Sequence, residues 1–412
     1  APTDDDWQPH HFGAIEAAMG GAVPSAGLAP LFNWRADLAD PIPPGFSFTR
    51  ASARKLFDGA AFVDFASGAI PIVAGPNKGL SADPLRTNEQ FNSTAFSAWT
   101  VSGAVVLTDL GADPIGLNAY DLDTGGTNAV HAIFARTSAT VSAGNYVFSV
   151  IGSFVDRAFM FLRSADPSAF ARLVANLQAG TISAASASLA PTVARSTALA
   201  SGWNNVELGW PSPGAGATPN TVIGLNTDGA NLGGTLPAGF TGNNSSIKIA
   251  HAQTERTDDN IGAVRTSPII TSGAAATRQA DVLSGVSGLG ITRPLFAFDS
   301  AFRVPDVIPT GKRVVALAAG SNVALIQVDD QGRVSMFDGT TTVAVPGDRR
   351  GQSVAASVAF DGTNLTLAVD QDAPVSMAPA ASPVGQPIQI AHQAGDRQLR
   401  DWFHHLRLWA QP

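Results

Sequence analysis

The chain has no cysteine in its 412 residues. Disulfide staples and thiolate metal sites are therefore excluded, and stability must come from large cores or from association. Lysine is also scarce, confined to Lys55, Lys78, Lys248 and Lys312, so arginine carries almost all of the positive charge. Charged residues make up only 14% and the net charge is −8. A nucleic-acid binder would show a basic stripe, and this chain has none; its like-charge runs do not exceed Asp4, Asp5 and Asp6. No run of about 18 apolar residues occurs, so no spanning helix and no membrane insertion are expected. The acidic first residues differ from the basic start of a secretory leader. The expectation is synthesis in a cytoplasm and exit by another route, such as assembly and lysis.

What the chain does have is 41 glycines, 27 prolines and a hydrophobic fraction dominated by small residues. That composition favours many short strands and turns over long helices. Residues 1–45 stand apart. Phe12, Ile15 and Met19 fall at helical spacing before Gly20 and Gly21, and Pro24, Pro30, Pro41, Pro43 and Pro44 then forbid regular structure. Trp7, Phe12, Phe32 and Trp34 make an extended, docked arm the expected form, because large aromatics are uncommon in disordered tails.

Beyond the arm, alternating apolar and polar residues mark strands. In 144–154 a Gly-Asn turn is expected, followed by Tyr146, Phe148 and Val150 on one face; 159–164 is the next strand. In 202–210, Trp203, Asn205 and Glu207 share one face, and Asn204, Val206, Leu208 and Trp210 the other. Ile247 and Ile249 open another strand, and only 172–178 reads as helical. Later, 323–339 and 354–371 read as hairpins turning at Asp-Gln-Gly and Asp-Gly, with a strand at 296–305 before them and a closing strand at 401–412. Phe403, Leu406, Leu408 and Trp409 are expected to pack that last strand into a core. Strands without interspersed helices indicate antiparallel sandwiches.

Specific stretches carry a resemblance. Gln253 and Glu255, then Thr266 to Ile270, then Thr277, Arg278, Ala280 and Asp281, resemble the closing segment of a jelly-roll module found in tailed-bacteriophage fibre proteins. Residues 48–62, with Arg50 and Ser52, resemble the opening that precedes it; 79–88, with Arg86, Thr87 and Asn88, resemble its link; and Phe96 to Trp99 resemble its start. An arginine among Thr and Asn at such a position is expected to clamp loop carbonyls. The hairpins of 323–371 and the ending DWFHHLRLWAQP resemble a laminin-G or concanavalin-like sandwich, with Gln371 where that family usually has glycine. The expected architecture is all-β: two consecutive antiparallel sandwiches, 46–285 and 286–412, after an N-terminal arm, 1–45.

The chemistry of enzymes is hard to find. No Gly-x-Ser-x-Gly elbow is present, the Gly-rich pieces lack a strand-to-helix context, and the histidines show no metal-binding spacing. His404 and His405, adjacent on a strand, are expected to point to opposite faces. Asp121 with Asp123, Asp258 with Asp259, and Asp329 with Asp330 are the carboxylate pairs a glycan-cleaving site would need, yet turn aspartates ordinarily serve Asx geometry. Residues 121–126 resemble half a calcium loop but lack the closing glutamate. No cofactor is implied, with Ca²⁺ in either sandwich left open. Glycan binding needs aromatic faces for sugar C–H surfaces; Trp210, Trp203, Tyr120 and Trp99 are the candidates, and each also suits a core. Asn-rich loops at 226–231 and 243–244 are alternative contacts.

By resemblance, the expected function is non-enzymatic: a virion structural protein of a tailed phage or gene transfer agent, on a tail fibre or head spike. It would bind host cell-surface polysaccharide, capsule or lipopolysaccharide, for adsorption. Residues 1–45 would contact other virion proteins, and a homo-oligomer, trimer or pentamer, is implied. The alternatives are a connector or decoration protein that makes only protein contacts, and a polysaccharide-degrading spike.

Overall fold

The computed structural model describes residues 32–36, 42, 46–73, 79–81, 86–137, 143–165, 170–188, 193–212, 214, 219–232, 236–257, 266–285, 296–306, 308, 310–391, 399 and 402–410. These contain β-strands and short 3₁₀ turns and no α-helix. All strand pairings are antiparallel, as in Tyr146↔Trp210, Phe161↔Val174 and Phe298↔Val358.

The first sandwich joins two sheets. One is built along Val193–Ala198, Trp203–Ser212, Gly144–Phe154, Ser246–Arg256, Asn118–Asp123 and Val106–Ala112, with Arg86–Asn88 and Ala276–Arg278 added beside Ser246–Arg256. The other is six-stranded, in the order Thr181–Ala187, Phe170–Asn176, Phe159–Ala165, Asn220–Asn226, His131–Arg136 and Thr100–Gly103. Between them lie Phe148, Val150, Leu162, Leu173, Val206, Leu208, Trp210, Ile247 and Ile249, all buried. The alternation expected for 146–150 and 206–210 is what places these residues inward, and each buried large aliphatic side chain is worth about 1.5–3 kcal/mol.

Three local expectations are corrected. Residues 172–178 are not helical: Phe170–Asn176 is a central strand, because Ala171 and Leu173 fill the core while Arg172 and Val174 face outward. Gly144 and Asn145 do not turn but begin the strand, opposite Ser212 and Pro211. Thr277 and Arg278, which the small residues of 272–276 before them would put in a loop, pair with Thr87 and Arg86. The helix expected at 12–19 lies outside the described residues.

The second sandwich draws strands from both ends of the chain. One sheet runs Val375–Met377, Leu365–Val369, Ser353–Phe360, Phe296–Arg303, Trp402–Ala410, Gly79–Ser81, Ile72–Val73, and Phe32–Arg35 also pairs with Trp402–Ala410. The other begins Phe46–Thr49, Val282–Gly285, Ile388–Ile390, Arg313–Ala319, Val323–Asp329. Trp34, Leu80 and Leu283 share one core with Phe298, Leu325, Leu367, Phe403 and Leu406. The pairing thus divides the chain differently from three successive segments: the first sandwich, 86–278, is inserted between strands of the second. Trp34 is not free to dock elsewhere, since it lies 6.2 Å from Phe403, ring to ring, inside that core. The side chains of Leu408, Trp409, His404 and His405 lie outside the described ones.

Both hairpins of the second sandwich form as expected, and the cause is visible. Asp329 accepts from the backbone N–H of Gln331 and Arg333, and Asp361 from those of Thr363 and Asn364. These are Asx turns. Asp330, beside Asp329, caps the N–H of Gly311, so this carboxylate pair is spent on structure.

Candidate functional site

The first sandwich has two outward faces, and the chain seals one of them. Over the larger sheet lies the hairpin Arg54–Phe57 and Phe62–Phe65, which brings Phe62 onto Ile115, Leu117, Ile151 and Trp203. Phe62 N–H donates to the Ile115 carbonyl at 2.7 Å. The approach requires a glycine at Gly116, where a Cβ would stand 2.3 Å from the Phe62 oxygen and φ is +81°.

The rest of that face is covered by the segment after Thr266, and the residues behind the phage resemblance do the holding. Gln253 accepts from Ile269 N–H at 2.7 Å, and Glu255 from Thr266 N–H at 2.8 Å and from the Thr266 hydroxyl. Asn88 donates to the Ile269 carbonyl, and Arg278 to the Ser267 carbonyl at 3.0 Å. Asp281 takes Arg50 at 3.1 Å and Arg54 at 2.6 Å, with all three side chains almost wholly buried. Arg86, the arginine flanked by Thr87 and Asn88, donates to the Arg256 carbonyl, as expected of a loop clamp.

The four aromatic candidates do not assemble into a binding face. Trp210 is 1% exposed, Trp203 3%, Tyr120 4% and Trp99 4%. Trp210 stacks on Tyr146 at 5.7 Å; Phe96 touches both Trp99 and Tyr120, at 5.1 and 5.5 Å. Trp203 lies beneath the covering hairpin with Nε1 donating to Asp113 at 3.2 Å. No ring has a face left for a sugar. The reason is volume: with seven Trp and two Tyr, the chain uses its largest rings to fill cores. The Asn-rich loops are likewise engaged, since Arg157 gathers the Asn226 carbonyl, Asn243 and Ser245 at 3.0, 2.9 and 2.7 Å. Asp123 caps Gly125 N–H at 2.6 Å. Among the described residues no group of three or more His, Asp or Glu is placed to hold a metal ion.

The outer face of the six-stranded sheet is different. Across it the register aligns Ser186, Arg172, Arg163, Val222, Phe134 and Thr100 in one row, and Phe170, Ala165, Asn220 and Arg136 in the next. Phe161, Val174, Val222 and Ala132 form its floor, covered towards one end by Leu232 and Leu236. Phe134, Phe170, Asn220, Arg163 and Arg172 are half-buried, and Arg136 and Thr100 are exposed. Arg172 lies over the Phe170 ring, 5.1 Å from its centroid. Arg163 has no carboxylate partner among the described residues. Burial, and then repulsion from Arg172, hold its pKa below the ordinary arginine value; the guanidinium remains charged at any ordinary pH. The helical reading of 172–178 hides this face, because it conceals the register that sets Arg172 opposite Arg163.

No family model matches this chain, and no curated protein matches it. Among solved structures it is similar to domains LG4–5 of the mouse laminin α1 chain, at 10% identity over 84% of this chain and 92% of that one, with a TM-score of 0.21. The LG1–3 region of the laminin α2 chain aligns at 12% identity over 68% and 64%, TM-score 0.22. A Trypanosoma rangeli sialidase in complex with sialic acid aligns at 9% over 74% and 59%, TM-score 0.24. The all-β sandwich architecture itself rests on the strand pairing above.

Proposed function

We propose that this chain is a virion structural protein, on a tail fibre or head spike, that binds host cell-surface polysaccharide through the open face of its six-stranded sheet. The observation that carries the reading is the asymmetry of the first sandwich. One face is sealed by the chain's own clamps, while the other leaves Phe134, Phe170, Asn220 and three arginines accessible. Aromatic rings beside amide and guanidinium donors are what a sugar's apolar C–H surface and hydroxyls require. The sequence resemblance to phage fibre modules supplies the biological setting, with residues 1–31 as the segment left to meet the particle and a trimer or pentamer as its state. The test is binding of fluorescent protein to host cells with and without their capsule. Saturable binding that disappears with the capsule supports the reading; equal or absent binding contradicts it.

A second reading, the connector, is favoured by one observation. Val106–Ala112 ends its sheet's strand order and exposes Val106 (54%) and Leu110 (46%). A free apolar edge can pair with a neighbouring protein. A connector would form stable complexes with other virion proteins and ignore cells.

A further inference from the structure

The two sheets of the first sandwich end side by side. Thr100–Gly103 is the last strand of the six-stranded sheet and Val106–Ala112 the last of the larger one, with only Ala104 and Val105 between them. Among the described residues no strand pairs with either on its outer side. Such edges present unpaired backbone N–H and C=O groups, and proteins commonly guard them with lysine, proline or a bulge. Neither strand contains lysine or proline. The bulge of Val106–Ala112 falls at Leu110, so Val106 to Asp109 keep regular register against Asp123 to Tyr120. The edge is apolar as well. Val106 and Leu110 stand exposed, and Val101 is 45% exposed although it lies opposite the core residue Ile133. Leu107, opposite the core residue Leu122, is only partly buried.

The charge around this edge has one sign. No Lys or Arg occurs from Thr87 to Ala135, while Asp109, Asp113, Asp121 and Asp123 all lie on or beside Val106–Ala112. Lys248 answers two of them, opposite Asp121 and 4.0 Å from Asp113. No described ion pair takes Asp109 or Asp123. Asp121 and Asp123 stand opposite Thr108 and Val106, on the face turned away from the core residues Tyr120 and Leu122. Two copies set edge to edge would bring these aspartates together with no cation on either strand. The charge therefore selects against a second copy and for a cationic partner.

We propose that Val106–Ala112 takes up an extended, amphipathic strand of another protein, apolar on one face and carrying Arg or Lys on the other. The incoming backbone extends the ladder. Its apolar face turns to Val101 and Leu107, and its cationic face to Asp121 and Asp123, where long basic stems cover Val106. The inference rests on the connector reading above and names the chemistry of the partner; it makes no use of the glycan face.

The experiment is a fluorescence-anisotropy titration of the full chain with three labelled octapeptides. One alternates valine and arginine, one alternates valine and glutamate, and one holds valines and arginines in two separate blocks. Saturable binding is expected for the alternating arginine peptide alone, with affinity falling as salt rises. Val106→Lys should weaken it by about tenfold or more, because it sets a like charge on the edge. Asp123→Asn keeps the acceptor for Gly125 N–H and should weaken binding by about twofold to fivefold. In wild type, the peptide should slow hydrogen exchange at Val106–Ala112 and not at Val193–Ala198, the opposite edge of the same sheet.

No binding, equal binding of the block or glutamate peptide, unchanged affinity in Val106→Lys, or protection only at other strands overturns the proposal. So does wild-type self-association that Val106→Lys abolishes, which would make a second copy the occupant. Val106 is exposed, so its lysine variant should keep the wild-type thermal midpoint; if it does not, the exchange map of wild type decides. A complex with virion proteins that survives Val106→Lys overturns this edge and leaves the connector standing. Peptide binding at the edge without any virion complex overturns the connector and leaves the edge.

Discussion

Arg54 and Asp281, 227 residues apart in sequence, meet at 2.6 Å in the buried junction where the first sandwich leaves the strands of the second. Arg50 binds the other oxygen of the same carboxylate. Asp281→Ala would leave two buried guanidiniums without their counter-charge. Stability to urea should fall by about 3–5 kcal/mol, the cost of breaking a buried ion pair from one side. Little change would show that the junction is open to water.

Glu255 holds the sealing segment through the N–H and hydroxyl of Thr266. Glu255→Ala strands these donors in a buried site and should cost about 1–3 kcal/mol. The loss should be local: hydrogen exchange should rise at Thr266 and Ile269, whose amides are otherwise protected by Glu255 and Gln253. The strands of the second sandwich should keep their protection.

Much of the fold was legible because apolar residues alternate where one face is buried. Period alone sets Tyr146, Phe148 and Val150 on one face of their strand, and Val206, Leu208 and Trp210 on one face of theirs; the structure turns both faces into the core. The Asp-Gly hairpins announced themselves through turn chemistry. What could not be read was pairing over long separations. Nothing local says that Phe46–Thr49 lies against Val282–Gly285, or that Phe32–Arg35 lies against Trp402–Ala410. The candidate site was missed for a related reason. The largest rings are the ones burial energetics draws inward, while the open face depends on a cross-strand register that the sequence of 159–178 does not display.

Trp210 therefore serves stability. Trp210→Ala should destabilise by about 3–5 kcal/mol, as large-to-small changes in a core do. At a temperature where the variant stays folded, its affinity for cells or oligosaccharide should match wild type. A selective loss of affinity with stability intact would return this ring to the binding surface.

Asp338 gives a pH signature. It is 2% exposed and accepts from the N–H groups of Thr340, Thr341 and Ala380. Those bonds, that from Thr341 foremost, hold its pKa below the ordinary value of 3.8. The charged form is the one the fold favours, so its stabilisation is complete above 3.8 and is lost as pH falls from there through the depressed value. Asp338→Asn should lower the unfolding midpoint at neutral pH, and the gap to wild type should narrow on acidification below that range. A gap that widens in acid would contradict the assignment.

Because the chain lacks cysteine, a single introduced thiol can be modified without side reactions. Thr100 is exposed in the same row as Phe134 on the open face, and Thr363 is exposed in a turn of the second sandwich. The most direct measurement is adsorption to encapsulated host cells by Thr100→Cys and Thr363→Cys, each before and after attachment of a bulky maleimide polymer. The open face as the contact surface requires that modification at position 100 abolish adsorption and that modification at 363 leave it intact. Adsorption unaffected at 100, or lost only at 363, would contradict it.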